Sequence, residues 1–504
     1  MNLPRFARTA TKLHPLQLLA RAPSAILGRV VRDIPAGLPP HAIETWSKPP
    51  LALRNLANAE RTRNAGRRIR LPPGPLRDYE LCYGMELGAD DSTPHRDWSS
   101  PIAVQPYPAS VRARRIAIAI RCGRRGLEAE LARAARSVLL RPEVHLLGNH
   151  LLENGIALAC AGAVASNSEA DLWWVAGTGI LAWQLPQQFL QDGGHVERSA
   201  SYHVALTAAL LETIELAEAS GRGVPALWRQ VAARAIGWAN AVQAPDRTYP
   251  LFNDASLDGA PSIDDVLALS AALCIEAESV AHVETSSRAR VARLAATGWV
   301  RLDVDRACMF VDAGADADGW QPGHAHADGL TFELWVDGAR AIVDFGVASY
   351  EAGTARDDTR ATRSHNTVEL GGTDSCEVWQ AFRVGRRGRG YFRSCNVREG
   401  VARIEVEHDG YSWLAGGPRH ERWIELREGA LDVFDRIRGG TDAWVSRLRT
   451  DARDGAHLRI SGDRDVRRRD DRWYPRLGDA RPAVVFEQRS RANDPGGVTW
   501  RVQW

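Results

Sequence analysis

The sequence predicts an α+β chain in two unlike parts, a helical region followed by an antiparallel β-domain. Three observations predict it. Between residues 111 and 280, apolar residues recur at helical spacing. Beyond about residue 299, short alternating runs divided by Gly, Asp and Asn take over. Helices first and strands second is the order of two separate domains, not of interleaved βαβ units.

The elements follow in order. The first 35 residues hold apolar side chains, but Lys12, His14, Pro15 and Arg21 interrupt them. Neither a secretory signal nor a membrane span is expected there. A cytoplasmic location is the expectation, with a periplasmic or exported one as the alternative. Residues 36–110, rich in Pro, Gly and aromatics, are expected to be extended wrapping with short helices. Helical patterns then cover residues 111–139, 151–164, 172–190, 202–219, 226–241 and 263–277, each with a solvent stripe of Glu, Arg or Gln. Connectors such as DGG at 192–194 and SGRGVP at 220–225 mark antiparallel hairpins, in a bundle or a toroid. The strand candidates are ACMFVDAG, LTFELWVDG, RAIVDFG, NTVELGG, VARIEVEHDG, RWIELREG and ALDVFDRI. In LWVDGARAIVDF, Asp-Gly between two β-rich runs signals a hairpin. The β-part is expected to be a sandwich, with a substrate cleft between it and the helices.

Composition narrows the function. A net charge of +2 over 504 residues gives no field suited to nucleic acid or a membrane. Only Lys12 and Lys48 are lysines, and with Ala and Gly also abundant the arginine preference reads as compositional bias. The seven cysteines are scattered and form no CxxC pair, which excludes a zinc knuckle or redox motif and disfavours a disulfide framework.

Four clusters could carry chemistry. In PGHAHADGLTFEL, His324 and His326 alternate before a strand, so both point to one face. Asp344 ends the next strand of the hairpin, and His365 stands at the mouth of another. Two histidines and an aspartate suit a divalent metal, zinc by default, with manganese or calcium as alternatives. In LLGNHLLENGIAL, Asn149 and His150 open a helix, where an anion is favoured. In DGGHVERSASYH, Glu197, Arg198 and Tyr202 cluster beside a double glycine; a catalytic Tyr202 would need its pKa lowered by a positive neighbour such as Arg198. In YEAGTARDDTRATRSHN, Tyr350, Arg356, Arg360 and Arg363 form a basic loop able to bind carboxylate or sulfate.

Six pieces carry a resemblance: QPYPASVRARR (105–115), GNHLLENGIAL (148–158), DGGHVERSASYH (192–203), PLFNDASL (250–257), PGHAHADGLTFEL (322–334) and SHNTVELGGTDSCEVWQAFRVGRR (364–387). Their kinds and order resemble the heparinase II/III family of polysaccharide lyases and its bacterial relatives, which include alginate lyases. The resemblance implies an incomplete (α/α) toroid over residues 101–290, an antiparallel β-sandwich over 291–504 and an N-terminal wrapping region over 1–100. It implies β-elimination on an acidic, uronic-acid polysaccharide. Asn149 and His150 would neutralise the uronate carboxylate, Tyr202 would act as acid or base, and His324 would take part in proton abstraction. Tyr350 is the candidate second tyrosine; Glu197, Arg198, Arg360 and Arg363 are candidate substrate contacts. His326, Asp344 and His365 resemble the family's metal site, which holds β-domain loops. A uronate C5-epimerase or a non-catalytic exopolysaccharide-processing protein are the alternatives.

Overall fold

The computed structural model describes residues 3–30, 41–42, 48–71, 75–82, 105–316, 319–492 and 496–504. Helices fill the N-terminal part: α1 (Leu3–Ala10), α2 (Pro15–Val30), α3 (Leu51–Arg70), α4 (Pro75–Leu81), α5 (Pro106–Arg121), α6 (Glu128–Leu140), α7 (Gly148–Val164), α8 (Ser168–Gln188), α9 (Ala200–Ala219), α10 (Ala226–Val242) and α11 (Ile263–Ala272). The extended wrapping expected over 36–110 is thus corrected, where it is described, by the 20-residue α3. Much of the remainder of that stretch lies outside the described residues. The pattern over 111–139 divides into α5 and α6, because Gly123 and Gly126 turn the chain with positive φ.

Local chemistry sets several helix starts. Asn167 caps α8 by accepting from the Ala170 N–H at 2.7 Å, and Ser262 caps α11 by accepting from Asp265 N–H at 3.1 Å. Almost all of α7 is buried and it has no polar stripe, as a helix surrounded by others should be. It meets α8 through glycines: a Cβ on Gly162 would lie 2.6 Å from the Trp174 backbone nitrogen, and Gly177 is as tightly placed against Ala159.

The arginines of α5 do not form the expected solvent stripe. Arg112, Arg114, Arg115 and Arg121 are buried. Glutamates of neighbouring helices meet them: Arg114 pairs with Glu153 at 2.7 Å and with Glu212, Arg121 with Glu215 at 2.7 Å, and Arg112 with Glu130. A charge can occupy a helix interface only when paired in this way.

The C-terminal part is a sandwich of two antiparallel sheets. The larger is ten-stranded, with the short strand Val368–Leu370 attached beside Trp444–Asp451. It includes Trp299–Val304, Ala307–Asp312, Phe332–Val336, Ala339–Ile342, Trp444–Asp451 and Asp479–Arg489. The smaller has six strands and carries Val401–His408, Arg419–Arg427, Ala430–Arg438 and Val498–Gln503. Asp337 and Gly338, both at positive φ, form the expected hairpin turn. Met309, Leu334, Ile342, Ile404, Leu431 and Trp500 share the core between the sheets. The other face of the large sheet packs Trp299, Phe310, Trp335 and Trp473 against the helices. That explains why Ala307–Asp312 is buried at every residue. A helical toroid on a β-sandwich results, with a cleft at their junction.

Candidate active site

The cleft holds a cavity of about 730 Å3, lined among others by Tyr107, Asn149, His150, Tyr202, His324, Tyr350 and Phe382. Tight backbone turns deliver several of these. Leu147 (φ 57°) and Gly148 (φ 56°) aim the start of α7, and Arg198 (φ 53°) and Asn253 (φ 56°) kink two loops beside it. Non-glycine residues in this region store strain, and such strain gathers at functional sites.

Asn149 is held by Glu197. The carboxylate accepts from the Asn149 backbone N–H at 3.0 Å and from its side-chain amide at 2.8 Å. Glu197 therefore acts as a positioning group. Burial opposes its charge, yet the nearby His324 and His195 and the Asn149 bonds hold its carboxyl below the ordinary range. The Asn149 Nδ2 also lies 3.2 Å from His324 Nε2. His150 sits beside it, 4.3 Å from the Tyr107 ring and 3.2 Å from Glu143. Burial works against a charge on His150, but the Glu143 carboxylate prevails and raises its pKa.

Asp254, to which the sequence reading gave no role, organises the other side. One oxygen meets His324 Nδ1 at 2.9 Å and the other meets His326 Nε2 at 2.8 Å. Arg356 grips the same carboxylate. Burial opposes the charge of Asp254, but Arg356 and both imidazoles hold its pKa well below the carboxylate range. An ionised carboxylate only accepts, so His324 must carry its proton on Nδ1. Its Nε2 lone pair then faces Asn149 and the cavity.

Tyr202 packs on His324 with ring centroids 4.0 Å apart, and its hydroxyl is 3.5 Å from that of Tyr350. The expectation of a lowered phenol pKa is reversed. Burial first, then Tyr350 and Asp254, push Tyr202 well above its ordinary value. Arg198 does not offset this, since its guanidinium reaches the carbonyls of Ala315 at 3.0 Å and Ala296 at 3.5 Å instead. Tyr202 is a neutral phenol, able to donate a proton.

Arg198, Arg360 and Arg363 do not line this cavity. Arg360 is buried and donates to the carbonyl of Ala325 at 2.9 Å and to those of Gln380 and Ala381 at 3.2 Å. Arg363 points to solvent and pairs with Asp358. The loop's contribution to the site comes through Arg356 and Tyr350 instead.

The metal candidates converge beneath the cavity. His326, Asp328 and His365 offer donor atoms within 4.8 Å of one another, all buried. His326 Nδ1 and His365 Nε2 have no hydrogen-bond partner. Burial above all pushes the Asp328 carboxyl up to about 8, and a bound cation would restore its charge. Two buried imidazole nitrogens without a partner beside this carboxyl fit a divalent cation. Asp344, expected as the third ligand, instead accepts from His365 Nδ1 at 2.9 and 3.0 Å and from Thr331 at 2.9 Å. It orients His365, and Asp328 takes the place beside the two histidines. The alternation His324, His326, Asp328 continues by one step the period-two signal that singled out the histidines.

Two family descriptions match the chain: Heparinase II/III N-terminus over residues 136–271 and Heparinase II/III-like, C-terminal over residues 286–491. The chain belongs to the heparinase II/III family. A heparin-sulfate lyase of Bacteroides stercoris is 26% identical over 250 residues, which cover 45% of this chain and 37% of the relative. One of Bacteroides thetaiotaomicron is 23% identical over 261 residues, covering 44% and 37%. The matched stretch thus spans little more than a third of these relatives' length. The crystal structure of heparinase III superposes with a TM-score of 0.63 at 14% identity, over 97% of this chain and 85% of that one. A heparan sulfate lyase from Pedobacter heparinus gives 0.56 at 17% identity, over 90% and 76%. The heparinase II/III fold is therefore present through both domains. Among the described residues, no helix is long and apolar enough to cross a membrane.

Proposed function

We propose that this heparinase II/III family member is a polysaccharide lyase that cleaves a uronic-acid glycan by β-elimination. The observation that carries the reading is the meeting, in one cavity, of a histidine lone pair, an amide donor and a neutral phenol. The proton beside a carboxylate is a weak acid. Its removal becomes feasible when fixed donors meet the developing enolate charge, and Asn149 with His150 would supply them. His324 Nε2 takes the C5 proton, the C4–O bond breaks as the C4=C5 bond forms, and Tyr202 protonates the departing glycosidic oxygen. The names of the Bacteroides relatives favour a heparan-type glycan among the uronans.

His326, Asp328 and His365, oriented by Asp344, would hold a divalent metal, with zinc the first choice for such a donor set. Its contribution there would be structural: His326, Asp328 and His365 would be tied together, fixing the segment that carries His324. Elemental analysis of the purified protein should find about one metal per chain, and chelation should lower the unfolding temperature. At free metal 100 times its Kd the stability lost would be about 2.7 kcal/mol. A metal-free protein with an unchanged melt under chelator contradicts this site.

The test of the reaction is ultraviolet absorbance during incubation with a panel of uronic-acid polysaccharides. Wild-type protein should produce unsaturated ends from at least one. Tyr202→Phe should lower kcat by about 10²–10⁴-fold, the worth of a positioned acid. Equal rates for the two proteins would remove Tyr202 from the reaction.

A further inference from the structure

The cavity has a wall that the reaction does not use. Phe6, Thr9, Ala10 and Leu13 of α1 and the turn after it, with Gln17 and Leu18 of α2, face the same space as Tyr202 and His324. These residues reach across the cleft. On the β-domain side, Arg5 and Arg8 both bond Glu377, at 3.2 and 2.8 Å, and the Trp379 indole donates to Thr9 at 3.1 Å. On the helical side, the Gln17 amide donates to the carbonyl of Leu146 at 2.9 Å, just before the turn that presents Asn149.

We propose that α1 and the start of α2 form an arm that closes one side of the cleft, so that the site takes glycan chain ends or short oligosaccharides, with Glu377 as the specificity-determining clamp. This rests on the lyase reading for its substrate. A groove that lets a polymer pass needs two open ends. Here the arm ties one domain to the other across it. The cavity volume of about 730 Å3 falls within the usual range of a pocket for a small molecule, about 300–1,000 Å3.

The arm is lightly held. Arg5 and Arg8 are 38% and 32% exposed, and such ion pairs contribute little. Leu16, Leu18 and Leu19 of α2 remain exposed, so the arm buries little apolar surface. Loss of the single carboxylate that receives both arginines should therefore free it.

The test compares the wild-type chain, Glu377→Gln and a chain lacking residues 1–14. Heparan sulfate and alginate serve as probes, each as polymer and as tetrasaccharide. The wild type should release small unsaturated products from the start, with little early fall in polymer viscosity. Both variants should cut within the polymer. Their polymer turnover should rise by about tenfold, the gain expected if the arm is closed in about nine molecules of ten. Tetrasaccharide turnover should change little. Hydrogen exchange should show α1 protected in the wild type and unprotected in Glu377→Gln. Mid-chain cutting by the wild type as fast as by the variants, or polymer turnover unaltered by the variants, overturns the proposal. So does an α1 that exchanges like free chain in the wild type. If no protein yields unsaturated ends from any probe, the lyase reading fails and takes the chain-end claim with it, while the exchange data still decide whether the arm is docked.

Discussion

Replacing Asp254 with asparagine is expected to lower kcat by about 10⁴-fold, the size of effect seen when a catalytic histidine is left in the wrong tautomer. The substitution keeps the shape of the side chain and removes its charge. Asp254 now accepts from His324 Nδ1, from His326 Nε2 and from Arg356. An asparagine has one acceptor oxygen, and Arg356, which can only donate, would claim it. The amide nitrogen would then face an imidazole and donate to it. His324 would have to move its proton to Nε2, and the lone pair needed in the cavity would be gone. The same change leaves Arg356 fully buried without its counter-charge, which costs about 3–5 kcal/mol when a buried pair is broken. The two effects separate by experiment. Turnover is measured well below the variant's unfolding temperature, with the urea midpoint taken in parallel. A folded Asp254→Asn protein with activity within about tenfold of wild type would show that Asp254 does not fix the base.

The second large effect is on stability. Asp435 lies between the sheets, where it accepts from His420 at 2.8 Å, from Arg422 at 2.7 and 2.9 Å and from Ser446 at 2.7 Å. Arg422 extends onward to the carbonyls of Leu330 and Asn366, at the base of the loops that carry His326 and His365. Both side chains are fully buried. Asp435→Asn should therefore destabilise the protein by about 3–5 kcal/mol near neutral pH, because Arg422 keeps its charge without a counterion. The acid dependence has a definite sign. Burial opposes the charge of Asp435, but Arg422 and His420 hold its carboxyl below the ordinary value. Its contribution is complete above the unfolded pKa, about 3.9, and is lost as pH falls below that value toward the folded one. Urea unfolding at a series of pH values should show the gap between wild type and variant narrowing on acidification. A gap that stays constant, or widens in acid, would assign the stability of this region to other groups.

The sequence by itself determined the order of the parts and much of their local form. Apolar periodicity placed α7 to α10 within a few residues of their ends, because a 3.6-residue period is written directly in the chain. The Asp337–Gly338 turn was visible for the same reason: a two-residue hairpin demands residues that tolerate positive φ. The motifs around Asn149, Tyr202, His324 and Tyr350 named residues that do share one cavity. Only the tertiary structure decided what each of those residues can do. The arginines of α5 read as a solvent face, since a sequence shows charge but not the glutamate that arrives from another helix. Arg198 looked like the cation that would acidify Tyr202, but its left-handed backbone sends the guanidinium elsewhere, and burial moves the phenol the opposite way. Asp254 sits 72 residues from His326 in the chain, and no spacing rule links them. The arm from α1 to α2 carried no motif at all; its place over the cleft rests on contacts with Glu377 and Trp379, more than 360 residues away. Periodicity is local and survives in the sequence, whereas proton location, charge compensation and access to a cavity depend on which distant groups burial brings within a few ångströms.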